Sequence, residues 1–353
     1  MAFSYGKSQL RLRVNAFSRL LRAAYHDTVY PAVDAADRRQ VLEGGPDHAR
    51  YQIHDYRGRL KLCPASGLLF DDNVLLKNSS DLFMRERLPW YRQVYDKADR
   101  HFPQLISLRH GSDANYWHFF QIVAPKAVIA DLCGLPGDIP VVLSERQADI
   151  PFIKHSLDKG ILGNRPVVIQ GSDEVLTAER IFAILPPLHG SQYRDVILDR
   201  LAPPLDAEAD DRLFVVRGKT AENDRRIRNQ DEVESALAAF GFRTIDPQSL
   251  PLDQQIAAFA RCGFIVSPHG AGMTNMIFRR GGPLDVVEIF NPNLVNDCYR
   301  VVADEYGFRY KALNSATVIG KPRTGHAVVD TEKLVDTVRR FLDTRGTVSP
   351  SLT

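Results

Sequence analysis

From Gln104 onward the hydrophobic positions fall into a regular alternation. Leu105-Ile106-Ser107-Leu108 predicts a strand, Asn115 to Leu132 a helix kinked at Pro125, and Ile139 to Leu143 a strand. Ile150 to Lys159 then predicts a helix and Pro166 to Gln170 a strand. Such alternation predicts a parallel sheet with crossover helices. Upstream the pattern is weaker. Gly67 to Leu76 carries two apolar runs around Asp71-Asp72-Asn73, the pattern of a hairpin, and Arg85 to Arg100 reads as charged loop and helix.

Ala202 to Asp211, with paired prolines, acidic residues and no period, reads as a linker. A second alternation follows. Strands are predicted at Leu213 to Val216, Phe242 to Ile245, Phe264 to Val266, Asp285 to Ile289 and Phe308 to Ala312. Helices are predicted at Asn229 to Phe240, Asp253 to Ala260 and Asp297 to Tyr306. Asn229 and Glu232 form a capping-box variant, and Gly241 and Gly307 stop their helices. Thr331 to Arg345 is amphipathic, with Leu334, Val335, Val338, Phe341 and Leu342 as its stripe. The fold class is α/β in two domains, residues 1–205 and 206–353.

Composition narrows the function. At 353 residues the chain has room for two domains, and 44% hydrophobic with 25% charged residues is a globular composition. A net charge of +2, from 45 basic and 43 acidic residues, argues against a general nucleic-acid binder. Cys63, Cys133, Cys262 and Cys298 lack metal-ligand spacing and read as reduced thiols. No apolar run reaches membrane length and no signal-peptide core is found, so the expectation is a cytoplasmic protein. Residues 10–22 interleave Arg with Leu and Phe. They fit an amphipathic helix on their own domain or a peripheral contact with the inner face of the membrane.

The chemistry centres on Ser267 to Asn275. A strand end, a loop of small residues and a helix start at Thr274 make an anion site, because glycines admit backbone close to a ligand and helix N-termini offer free N–H groups. The candidate contacts are His269, Gly270, Ala271, Gly272, Thr274 and Asn275. Glu288, at a strand end, suits ribose hydroxyls beyond a diphosphate. Arg217 and Lys219 follow a strand, with Arg225 and Arg226 nearby, and suit a diphosphate. A tight strand-to-helix connection and a solvated charged loop with surface pairs explain the same residues without function. His118, early in a helix, is either packed or a base.

Taken in order, Asn115-Tyr116-Trp117-His118-Phe119, the strand ending at Arg217, Arg226 to Val233, Gly241-Phe242, Gln255-Ile256, His269 to Asn275 and Val287-Glu288 resemble family 61 glycosyltransferases over roughly Asn115 to Tyr310. The resemblance implies a GT-B fold, two Rossmann-like domains facing across a cleft, with the last helix crossing back to the first domain. It implies inverting transfer from a nucleotide sugar, UDP-linked, to a glycan or lipid-linked glycan, with no cofactor and no metal. Arg217, Lys219, Arg226, the His269–Asn275 loop and Glu288 would hold the nucleotide, and Asn115, Tyr116 and Trp117 would lie on the acceptor side. Family members usually carry an acid shortly after the histidine of the first motif. Phe119-Phe120-Gln121-Ile122 has none, which leaves Asp113 and His118 as candidates for the base. A bacterial-type enzyme of surface-polysaccharide synthesis is expected. An esterase would need Gly-x-Ser-x-Gly and a dehydrogenase Gly-x-Gly-x-x-Gly; both are absent. A polysaccharide pyruvyltransferase and a non-catalytic sugar-nucleotide binding protein remain as alternatives.

Overall fold

The computed structural model describes residues 32–33, 38–71, 74–76, 98–187, 190–202, 211–218, 226–320 and 325–345. The segment 10–22, most of the charged stretch 85–100 and most of the linker 202–211 lie outside the described residues. The chain divides into two compact units. Unit 1 takes Met1–Ala114, Gln121–Ile150 and Leu162–Leu188, and unit 2 takes Asn115–Phe120, Pro151–Ile161 and His189–Thr353. Packing therefore gives the second unit two early stretches as well as the chain from His189 onward.

Unit 1 is built on nine described strands: β1 (Ala32–Val33), β2 (Arg39–Gly44), β3 (Tyr51–Leu62), β4 (Leu69–Asp71), β5 (Val74–Leu76), β6 (Arg100–Ser107), β7 (Val141–Ser144), β8 (Val167–Gln170) and β9 (Leu176–Leu185). Their order is β1-β5-β4-β3-β9-β6-β7-β8, with β2 also on β3. The expected hairpin is β4 paired antiparallel with β5. The expected parallel sheet holds for β6, β7 and β8. Beyond them the expectation is corrected. β9 lies parallel to β6 but antiparallel to β3, and β3 is antiparallel to β2 and β4, so the sheet is mixed rather than Rossmann-like. Its core includes Tyr56, Leu60, Leu105, Val142 and Ile181.

The helix expected over Asn115 to Leu132 is interrupted. A single turn at Tyr116–His118 is followed by a π-helical stretch, Phe119–Val123, and then by α1 (Pro125–Leu132). Proline has no N–H and its ring crowds the carbonyl one turn back; a wider turn relieves that conflict. The break has a consequence for assembly: the residues before it belong to unit 2, those after it to unit 1.

After the Tyr116–His118 turn, unit 2 continues with α2 (Pro151–Asp158) and α3 (Ser191–Leu201), then alternates β10 (Asp211–Val215), α4 (Gln230–Ala238), β11 (Phe242–Ile245), α5 (Leu252–Ala260), β12 (Cys262–Pro268), β13 (Asp285–Phe290), α6 (Cys298–Tyr306) and β14 (Arg309–Asn314). A small hairpin, β15 (Thr317–Ile319) and β16 (His326–Val328), precedes α7 (Thr331–Arg345). The five-stranded sheet is wholly parallel, in the order β11-β10-β12-β13-β14. Gly307 ends α6 at φ 68°, a left-handed geometry that glycine adopts without steric cost. Asn229 precedes α4 but makes no cap hydrogen bond. Its side chain accepts from Val329 N–H (2.9 Å) and donates to Val329 O (2.9 Å) and Glu232 (3.1 Å), tying the helix start to the chain before α7. The stripe of α7 is spent on this unit's own core: Leu334 and Val338 are buried with Phe214, Phe264, Val266 and Val287, and Phe341 and Leu342 pack beside them.

Candidate functional site

The strand order of unit 2 reverses at one point. β11 pairs with one edge of β10 and β12 with the other, so the connections leaving β10 and β12 diverge. Such a switch point opens a crevice at the carboxyl ends of the strands, where ligands of open α/β sheets bind. Arg217-Gly218 lies just beyond β10, and His269-Gly270 just beyond β12. Arg217 Nη1 donates to His269 O at 3.3 Å, and its guanidinium occupies the space that a Cβ on Gly270 would need. Gly270 is therefore glycine for contact: its φ of 163° is extended backbone open to any residue. Gly218 is similarly crowded by the Asp246 carboxylate at the end of β11. Lys219 lies outside the described residues. Arg226 is half-buried, and its carbonyl accepts from Ala327 N–H (2.9 Å).

After Gly270 the chain turns into a 3-10 helix, Ala271–Arg279, which starts earlier and winds tighter than expected. Its first bond runs from Met273 N–H to Gly270 O (3.0 Å), so the amides of Ala271 and Gly272 precede the ladder at the half-buried mouth of the loop. These two amides are the anion donors the loop can offer. Thr274 and Asn275, expected to touch the ligand, are both 0% exposed. Asn275 donates to Gln255 (3.1 Å) and Gly272 O (3.0 Å) and accepts from the Tyr116 hydroxyl (2.7 Å). Thr274 lies 3.4 Å from the Tyr299 hydroxyl. Both side chains hold the loop's shape.

Glu288 also departs from expectation. It is 0% exposed, with Oε1 2.5 Å from His269 Nδ1 and Oε2 accepting from the Tyr310 hydroxyl at 2.5 Å. The carboxylate is thus buried behind the histidine, where ribose hydroxyls have no open surface to meet it. His269 stacks on Phe290 (5.2 Å, 19°) and meets the edge of Tyr299 (5.5 Å, 60°), whose hydroxyl donates to Gly270 O (2.7 Å). Its Nε2 lies 3.1 Å from Asn296 Nδ2. Burial pushes the Tyr299 hydroxyl well up, so it stays a donor. Sequence reasoning missed Asp246, Asn296, Tyr299 and Tyr310. Tyr310 alone had a signal, a ring that shares the alternating face of the predicted strand with Phe308 and Ala312.

The Asn115–His118 motif packs into this unit. Asn115 Oδ1 caps the turn by accepting from Trp117 N–H (3.0 Å) and His118 N–H (3.4 Å), Tyr116 reaches Asn275, and Trp117 meets Tyr299 edge-on at 4.8 Å. His118 is half-buried one residue further. Asp113 is a different case. It is fully buried in unit 1, paired with Arg109 (3.3 Å), which also donates to Gln170 (2.7 Å) and Pro64 O (3.0 Å). A carboxylate sealed into that network is a structural counter-ion, which corrects its candidacy as a base.

Among the described residues no helix is long and apolar enough to cross a membrane. No curated protein matches the chain. A family model described as Glycosyltransferase 61 matches residues 116–285, from the motif turn through the glycine loop to the start of β13. That match, over a little under half of the chain, supports a glycosyltransferase of family 61.

Proposed function

We propose that this protein moves a sugar from a nucleotide sugar, UDP-linked, to a hydroxyl of a glycan or lipid-linked glycan, with inversion and without a metal ion. The observation that carries the reading is the switch point of the parallel sheet, where Arg217 is packed onto Gly270 beside the amides of Ala271 and Gly272. A guanidinium and preorganised N–H groups stabilise a departing diphosphate as its charge develops. Arg226 and Lys219, the latter outside the described residues, are included as further diphosphate contacts on the resemblance alone. A GT-B-like arrangement, with unit 2 as its Rossmann-like half, belongs to the same proposal; the parallel sheet of unit 2 and the family match support it. So does bacterial surface-polysaccharide synthesis as the setting, on the resemblance alone.

The test is the thermal shift of the purified protein with nucleotides, UDP-sugars and phosphoenolpyruvate, in the presence of a chelator. A ligand of the folded state at a hundredfold excess over its Kd stabilises by about 2.7 kcal/mol, a rise of several degrees in Tm. UDP or a UDP-sugar is expected to give that rise. A rise with phosphoenolpyruvate and none with nucleotides would point to pyruvyl transfer instead. Binding of a UDP-sugar with no turnover of it would leave a non-catalytic binding protein.

A further inference from the structure

We propose that Glu288 is a positioning residue and that the His269 ring it holds accepts the proton in the transfer, an inference that rests on reading the crevice as a donor-sugar site. An ionised carboxylate only accepts hydrogen bonds, so Glu288 Oε1 takes the Nδ1–H of His269. On the other side stands the Asn296 amide. Its Oδ1 accepts from Cys298 N–H (3.1 Å), which leaves Nδ2 facing the ring as a donor. Nε2 therefore carries the lone pair, which accepts from the Asn296 amide. Two independent contacts place the ring proton on Nδ1.

The support behind the ring is rigid. Glu288 sits inside β13, opposite Ser267 on β12 and Ala312 on β14. Tyr310 donates to its second oxygen. Burial pushes the Tyr310 hydroxyl up, and the Glu288 charge adds to the effect, so this donor is not lost. The negative charge of Glu288 is thus kept behind the imidazole and cannot swing toward a ligand. An imidazole aimed outward with a carboxylate at its back is a general base whose proton gain is compensated. No other carboxylate claims the task from the first motif: residues 119–122 carry none, and Asp113 is held by Arg109.

In the step itself the acceptor oxygen bonds to the anomeric carbon as the bond from that carbon to the diphosphate oxygen breaks. The electron pair leaves with the diphosphate, toward Arg217. The proton of the acceptor hydroxyl passes to Nε2, displacing Asn296.

The test uses the whole protein, UDP-sugars as donors, water as acceptor and released UDP as readout. His269→Gln should lower kcat about 100-fold or more, and Glu288→Gln roughly tenfold to a hundredfold, with Tyr310→Phe in the same direction. KM and the UDP-induced rise in Tm should stay at wild-type values, and added imidazole should restore UDP release to His269→Ala. In 15N NMR of the wild type, the resonance lost in His269→Gln should report a proton on Nδ1. A proton on Nε2, variants with unchanged kcat, or His269→Gln that no longer binds UDP would each overturn the proposal. The spectrum and Tyr310→Phe keep it open to refutation if Glu288→Gln fails to fold. A wild-type protein that neither binds UDP nor releases it from any UDP-sugar would instead sink the donor-sugar reading beneath it.

Discussion

Gly270→Ala is expected to reduce sugar transfer at least about 100-fold while changing the free energy of unfolding by less than about 1 kcal/mol. The new methyl group has one place to go, the space filled by the Arg217 guanidinium. That group is the far end of a flexible side chain, so the fold yields easily and Arg217 moves. What is lost is the geometry: a cation held 3.3 Å from His269 O against the loop. Because alanine tolerates the backbone angles at 270, no strain competes as an explanation. Arg217→Ala should cost a similar factor, and the double variant little more than either, since both act on one group. Steady-state rates with a UDP-sugar, with urea unfolding of the same samples, measure both quantities. Transfer at the wild-type rate in Gly270→Ala would remove Arg217 from the mechanism.

The second large effect concerns stability. Arg194→Ala should cost about 3–5 kcal/mol. Arg194 lies on α3 with its side chain 2% exposed, paired to Glu305 at 2.8 Å and donating to the Tyr306 hydroxyl at 2.8 Å, both at the end of α6. The guanidinium also lies over the Tyr306 ring, 4.7 Å from its centroid. Removing it strands the Glu305 carboxylate, which still accepts from Gly190 N–H (2.8 Å), without its counter-charge. Arg194→Met combined with Glu305→Leu should recover much of the loss, because a buried ion pair is costly to break but cheap to replace with apolar groups. A loss under about 1 kcal/mol by urea denaturation for the single variant would mean that α3 is not anchored through this pair.

The sequence was most legible where one face of an element carries the whole pattern. α7 and β11 have the bounds their periodicity predicts, because α7 meets its sheet through a single stripe and β11 is short and closed by turns. β3 and β9 were not legible, and the reason is specific. Asp55 is buried in the middle of β3, and Arg180 interrupts the apolar run of β9. Each looks like a break in a strand until the two meet at 2.7 and 2.8 Å across neighbouring strands. A pairing over such a separation leaves no local trace. The same logic applies to the site. The glycine loop and Arg217 could be read from strand ends, but the engagement of Glu288 and Asn275 depends on Tyr310 and Tyr116, which no spacing rule links to them.

The division of unit 2 among three stretches of chain has a consequence for how the protein is made. Tyr116 closes on Asn275, 159 residues further along. Synthesis proceeds from the N-terminus, so the motif turn leaves the ribosome long before its partner exists. Trp117 and Phe120 must wait in water, or in transient company, until Tyr299 and Phe278 are translated. Contacts of such high sequence separation form late and slowly. Nascent chains halted before residue 275 should therefore be the ones that chaperones hold and proteases clip at the aromatic motif.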